Sequence, residues 1–447
     1  MYAEQIAASV RTVCPDVEIR GYRDYGFETH DLAVMGFFAV LKKLFYFLRV
    51  KRTLERAIDT WRPDVVCTVD YPGLNLKLAA YAKSKGVRAV HVVCPQVWAW
   101  KAGRIPKIEA SLDKLCCFFP FEPSLFKPGF AEFVGHPLVD AMKEGLGGSE
   151  GSGGAKKTLA ILPGSRAGEI ERNLPVLLEV VGILAAEFGK GLGFVIPAAN
   201  QNAFDQIVSI LHSYRTKTIV CPPPGVSEIE CAVETKLGGA RETLRSADAA
   251  VVASGTATLE AALANCPTVL VYDLNPLLGW LLRRLIKGVR HVGLANIIAE
   301  KAGAECPMPE LLLKDFTAEN VLKHVRPWLL ERAKNAEARE MLAKTMKLLQ
   351  SDGNSIATIT QFLVEYTQYE FVEIFIGNEK RAGAEKAVAD CSSNQRAGRE
   401  ASAGESVRRG FPSPYAGVEI PPRRTHREGA AEESFRRAAA GGGAHGA

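Results

Sequence analysis

The chain reads as an α/β protein: two tandem, doubly wound domains followed by a disordered tail. Three observations predict this. Its strands are short unbroken apolar runs, such as residues 64–70 and 249–253, and not alternating ones. Unbroken runs mark strands covered on both faces, as in a parallel sheet. These runs alternate with helical segments, the rhythm of strand–helix–strand units. A Gly/Ser-rich stretch at 145–155 interrupts the rhythm, which then restarts. Two consecutive Rossmann-like halves with a cleft between them are the simplest architecture, and ligands are then expected outside the carboxyl ends of the strands.

Taken in order, residues 3–13 have helical spacing, 17–21 form a short strand, and 32–58 are strongly helical and basic. Strands at 64–70 and 89–93 flank a helix at 74–85. After the break come a strand at 158–162, a turn Pro163-Gly164-Ser165-Arg166, and a helix at 169–188. A strand at 193–197, a helix at 203–214 and a strand at 218–221 follow. Next are a short helix at 242–246, a strand at 249–253, a helix at 256–265 and a strand at 268–272. Residues 318–349 read as two helices and 355–369 as another. The expected organisation is a first domain over 1–144, a linker over 145–155, a second domain over 156–317, helices over 318–376 and a disordered tail over 377–447.

Composition narrows the function classes. Of 447 residues, 47% are hydrophobic and 23% charged, which is globular, and the net charge is +5. The tail holds twelve Lys/Arg against nine Asp/Glu, so three of the five surplus charges lie there and the body is nearly neutral. A neutral body argues against a nucleic-acid partner. The ten cysteines include no C-x-x-C pair and no Cys/His cluster, which points to a reducing compartment and no metal site. No stretch reaches the roughly 18–20 apolar residues of a spanning helix. No secretory signal is visible. The chain opens abruptly in a helix, so a missing upstream strand or an organellar (mitochondrial) targeting segment is the alternative expectation.

Candidate chemistry sits at strand ends. In the run 251–260, a buried strand ends at Ala253, Ser254 and Gly255 make a turn, and a helix opens at Thr256. Free N–H groups at a helix start suit a phosphate. Glu260, one to two turns in, can reach the vicinal hydroxyls of a sugar. The same small residues also serve any strand-to-helix turn. Asp70 ends a strand and faces the cleft as a base for a sugar hydroxyl, or caps the following helix. Arg166 follows the first strand of the second half, where a guanidinium neutralises a departing diphosphate or simply meets solvent. Of His91, His136 and His291, His136 is the strongest candidate, because Gly135 and Pro137 hold it on a turn. Asn296 can bond a base, a phosphate or its own turn. Trp98 and Trp100, with Lys101 and Arg104, form an aromatic-basic cluster that reads as a core anchor or a sugar platform. Segments 32–52 and 274–290 mix bulky apolar residues with Lys/Arg, a mixture that docks on anionic membrane surfaces.

Together the motifs resemble the lipid-A-disaccharide synthase family. They are Asp31-Leu32-Ala33-Val34-Met35-Gly36, Asp70-Tyr71-Pro72-Gly73-Leu74-Asn75, Cys94-Pro95-Gln96-Val97-Trp98-Ala99-Trp100 and Pro120-Phe121-Glu122. Val134-Gly135-His136-Pro137-Leu138-Val139-Asp140, Leu162-Pro163-Gly164-Ser165-Arg166, the 253–260 run and the Asn296 loop continue the order. The resemblance implies a two-domain GT-B glycosyltransferase, inverting and working without metal or cofactor. Its substrates would be UDP-2,3-diacylglucosamine and 2,3-diacylglucosamine 1-phosphate, joined by a β-1,6 bond with loss of UDP at a membrane's cytoplasmic face. A UDP-N-acetylglucosamine 2-epimerase, or an impaired UDP-sugar-binding relative, is the alternative on the same architecture. By the same matching Asp70 is the base, Arg166 binds the UDP phosphates, Ser254, Gly255 and Thr256 cradle the diphosphate, Glu260 holds the ribose, and Asn296 touches the donor.

The chain departs from the family pattern in places. The pattern opens with a strand and a Gly-Glu-x-Ser-Gly-Asp loop, and this chain begins after both. Because the first strand of a doubly wound sheet is central, its loss is expected to weaken the first domain. An expected Pro-Asn is Ala295-Asn296, and an expected Pro-Glu-Leu-Leu-Gln is Pro309-Glu310-Leu311-Leu312-Leu313. The tail has no counterpart.

Overall fold

Apolar runs without alternation become interior strands of two six-stranded sheets, every pairing of which is parallel. The computed structural model describes residues 2–27, 44–144, 156–220, 233–273, 288–351, 353–367 and 371–375, with the side chains of 44, 143–144, 215–220 and 371–375 excepted. All of them belong to one unit, Met1–Lys386.

The first sheet contains β1 (Glu18–Arg20), β2 (Val65–Val69), β3 (Arg88–Val92), β4 (Lys114–Cys117), β5 (Ala131–Phe133) and β12 (Phe371–Phe375), in the order β1-β12-β2-β3-β4-β5. All five residues of β2 are buried, as its unbroken Val-Val-Cys-Thr-Val requires. Helices Tyr2–Val13 and Ser355–Tyr366 cover one face of this sheet, where Ile6, Val10, Ile359 and Leu363 meet Val65, Cys67 and Val90. Helices Leu44–Trp61 and Pro72–Ser84 cover the other, where Leu54 and Ile58 meet Val66 and Leu78.

The second sheet contains β6 (Lys157–Leu162), β7 (Leu192–Ala198), β8 (Val233–Leu237), β9 (Ala249–Ala253), β10 (Thr268–Tyr272) and β11 (Glu310–Leu312), in the order β11-β10-β9-β6-β7-β8. From β6 the chain winds outward through β7 and β8, then returns to β9 and winds the other way. The topological switch therefore lies between β6 and β9, with Leu162 registered on Val252. In open α/β sheets the ligand crevice lies at that point, outside the carboxyl ends.

The structure corrects the sequence reading in places. Residues 218–220 continue the helix Gln201–Val220 and are not a strand; the strand of that position is β8. The β-branched Thr218, Ile219 and Val220 favour a strand only weakly, and a helix already running through Leu211 overrides that preference. The region 318–376 is not all helical, because it ends in β12. That strand lies between β1 and β2, with Val372 on Val65 and Ile19 on Val372. A strand from late in the chain thus sits between two strands from its first 70 residues. The proposed linker at 145–155, most of 274–290 and the tail from 377 lie outside the described residues, as do residues 32–43 of the first basic segment.

Candidate active site

The Asp70 turn is built from strain and a brace. Asp70 leaves β2 with its N–H donating to the Val92 carbonyl at 2.9 Å. Asp70 and Tyr71 then take left-handed φ values of +51° and +45°. Such a conformation is costly for residues other than glycine and persists only when its surroundings over-determine it. Asn75 supplies the determination. Its amide donates to the Val69 carbonyl at 3.0 Å and the Asp70 carbonyl at 2.8 Å, while its Oδ1 accepts from the Tyr22 hydroxyl at 2.7 Å. Asn75 and Tyr22 are both fully buried. Pro72 opens the next helix, where its missing N–H is no loss.

The turn places Asp70 in a cavity with Glu122 and His136 of the first half and Thr256, Leu259 and Leu294 of the second. Burial raises the Asp70 pKa above the ordinary carboxyl value, opposed by a backbone hydrogen bond from Tyr71. A carboxylate held above its usual range is a better base near neutral pH. Across the cavity is the start of helix Thr256–Leu263, whose cap, Gly255, has no side chain to occupy the first amides.

Arg166 lies at the switch point. Gly164 before it has a φ of +125°, and a Cβ there would come 2.7 Å from that of Glu169. Glu169 caps this turn through the N–H groups of Ser165 and Arg166, and also takes the Arg166 guanidinium at 2.6 Å. Thus Arg166 and the Ser254-Gly255-Thr256 turn flank the same sheet crevice, and the sequence-derived candidates Asp70 and Thr256 share one cavity. Glu260 follows Leu259 on the same helix, its carboxylate bonded to Arg241 at 2.9 Å. Asn296 is a correction. It is fully buried; its Nδ2 donates to the Met308 carbonyl and to Glu310 Oε1, and its Oδ1 accepts from Met308 N. With its amide so committed it orients Glu310, which in turn accepts from the N–H groups of Val292 and Gly293 ahead of helix Leu294–Lys301. It does not reach into the cavity.

The histidines separate as their surroundings dictate. His136 lines the cavity; its Nδ1 accepts from Leu138 N at 3.1 Å, and burial lowers its pKa to about 4. His91 is a core residue, its Nδ1 2.7 Å from the Thr68 hydroxyl. His291 sits against Cys306 and Glu310. Trp98 is a buried anchor, whereas Trp100 is 44% exposed with Lys101 over its ring.

Sequence reasoning passed over Asn75 and Glu122 as site residues. Glu122 is 2% exposed, and burial lifts its pKa to about 8. Its signal was an acid inside the aromatic run Phe118–Phe126, a placement that burial penalises unless donors are supplied. Among the described residues, Cys94, Cys117 and Glu122 bring ligand-type atoms within 4.8 Å of one another. The Glu122 oxygens of that group already accept from Trp98 Nε1 and Phe119 N.

Two parallel α/β sheets in tandem, with a cavity lined from the carboxyl ends of both, resemble the architecture of the GT-B glycosyltransferases. The family model described as lipid-A-disaccharide synthetase matches residues 20–361. The lipid-A-disaccharide synthase of Geobacter metallireducens is 33% identical over 73% of this chain and 82% of its own length. That of Syntrophus aciditrophicus is 36% identical over 66% and 74%, and that of Neisseria meningitidis serogroup A 33% over 78% and 90%. The chain belongs to the lipid-A-disaccharide synthetase family. A crystal structure of the Methanocaldococcus jannaschii UDP-GlcNAc 2-epimerase with UDP-GlcNAc and UDP is also similar, at 15% identity and a TM-score of 0.41 over 71% of this chain and 82% of that one. That likeness assigns no activity.

Proposed function

We propose that this chain transfers 2,3-diacylglucosamine from UDP to the 6-hydroxyl of 2,3-diacylglucosamine 1-phosphate, giving a β-1,6-linked disaccharide and UDP. The observation that carries the reading is the cavity Asp70 shares with Thr256. Asp70 takes the proton of the acceptor hydroxyl as its oxygen attacks the anomeric carbon. The bond from that carbon to the diphosphate breaks on the opposite face, inverting the centre. Charge develops on the departing diphosphate, where the first amides of helix Thr256–Leu263 and the Arg166 guanidinium stabilise it. Arg166 exchanges Glu169 for phosphate, and Glu260, held by Arg241, accepts from the ribose hydroxyls. Fixed donors and alignment of two amphiphiles supply the rate, and no metal is needed for the step.

Acylated substrates call for contact with a membrane. No helix among the described residues is long and apolar enough to cross one. On helix Leu44–Trp61, Phe45 is 85% exposed and Leu48 38%, with Arg49 and Arg52 exposed on the same turn-to-turn face. An apolar ridge flanked by arginines fits peripheral docking on an anionic surface, here the cytoplasmic face.

The test is UDP release and disaccharide formation by wild type and Asp70→Asn. The variant is expected to lose at least ~10³-fold in kcat, because a general base is replaced by a group that cannot take the proton, while UDP binding persists. Full transfer by Asp70→Asn would remove Asp70 as base. UDP release that needs no acylated acceptor would favour the epimerase reading instead.

A further inference from the structure

Glu122 joins two pieces of chain, the loop at 94–98 and its own turn at 119–122. Its Oε1 accepts from Trp98 Nε1 at 3.0 Å and its Oε2 from Phe119 N at 3.1 Å, with the Cys94 thiol also against it. The partners it has there are neutral donors. Burying a carboxyl among aromatic rings is costly, so the group must be held for what it positions.

What it positions is Trp98. The indole packs with Ala99 against Ile297 of the second half, alongside Leu294 and Val289. Beside it Gly288 N donates to the Ala99 carbonyl at 3.3 Å. The approach is so close that a Cβ on Gly288 would stand 1.9 Å from the Trp98 carbonyl oxygen, so no larger residue fits. The loop after β3 is therefore where the first half grips the segment that leads into helix Leu294–Lys301. Apolar contact alone carries no direction, whereas a hydrogen bond at Nε1 selects one χ2 orientation of the indole. Through Phe119 N the same carboxyl ties the ring to the end of β4. Leu294 and Glu122 both line the Asp70 cavity, so the grip lies at the cavity wall.

We propose that Glu122 is a positioning residue: by anchoring the Trp98 indole it fixes the donor half against the Asp70 edge of the acceptor half. This rests on the transfer reading for its kinetic consequence, but not for the grip itself.

Backbone hydrogen exchange on the full chain reads the grip without turnover. Two variants are compared with wild type. Glu122→Gln keeps the size but turns an amide N–H₂ toward a donor, and Trp98→Phe removes the indole N–H together with part of the ring's apolar edge. Each is expected to speed exchange several-fold on both sides, in 94–100 and in 288–297, with helix Ala167–Phe188 unchanged. In the kinetic arm, kcat falls by ~10-fold or more through misalignment, UDP affinity stays within about twofold because the UDP contacts are untouched, and the double variant is no worse than Glu122→Gln alone. Faster exchange confined to 94–122 overturns the proposal, as does unchanged kcat in an active enzyme or additive loss in the double variant. A wild type that forms no disaccharide defeats the transfer reading, and the exchange result still decides the grip. If Glu122→Gln does not fold, Trp98→Phe carries both arms.

Discussion

Asn75 offers the sharpest test of how the site is built. Asn75→Ala removes one side chain that answers three buried groups: the Tyr22 hydroxyl and the carbonyls of Val69 and Asp70. Each buried polar group left without a partner costs about 1–3 kcal/mol. Some of these groups keep another partner or gain a water, so the expected loss is about 3–5 kcal/mol. Tyr22→Phe removes a single hydrogen bond and should cost about 1–1.5 kcal/mol. Because both changes break the same bond, the double variant should fall short of their sum by about 1 kcal/mol. Urea melts followed by far-ultraviolet dichroism measure all three. The same substitution frees the left-handed turn at Asp70 and Tyr71, and a carboxylate displaced by about 1 Å loses about 10²-fold in kcat. The disaccharide assay, normalised to folded protein, reads that loss. A cost under about 1 kcal/mol with kcat unchanged would refute the brace and leave the strained turn without a cause.

Further outcomes follow from the same geometry. Glu122 titrates near 8 in the fold against an ordinary 4.5. Between those values the folded protein keeps a proton that the unfolded chain releases, so stability is full below pH 4.5 and falls as pH rises through 8, by up to about 5 kcal/mol. Glu122→Gln should therefore flatten this alkaline decline, and parallel declines in wild type and variant would show that the group is not buried as described. His136 acts in the opposite direction: with its pKa lowered from 6.5 to about 4, stability is full above pH 6.5 and falls on acidification through pH 4. His136→Gln should remove that acid limb, as thermal melts at pH 4 and pH 7 will register. In β12, Val372→Pro places a proline where the strand is registered on both neighbours, Ile19 and Val65, for a cost of about 3 kcal/mol or more. A melting temperature equal to wild type would mean that β12 does not complete the first sheet.

Local chemistry made much of this legible in the chain. Residues 65–69 and 249–253 are apolar throughout because both faces of their sheets are covered, and that pattern needs no tertiary knowledge to read. The turns at Asp70, Arg166 and Ser254–Thr256 stand at carboxyl strand ends, so their place in a crevice follows from parallel winding. Short strands such as Ala131–Phe133 and Glu310–Leu312 are too brief for any period to declare them.

Sequence by itself thus determined that both halves are built on parallel sheets and that the Asp70, Arg166 and Ser254–Thr256 turns follow the carboxyl ends of strands, since burial on both faces shows within a few residues of chain. Only the tertiary structure decided the rest. Asn296 turned inward to Glu310, Asn75 and Tyr22 met across the fold to hold Asp70, and β12 entered between strands of a sheet begun some 350 positions earlier in the chain. Such pairings depend on which unmet hydrogen-bonding groups come within about 3 Å of one another once the chain has closed. No local pattern carries that information.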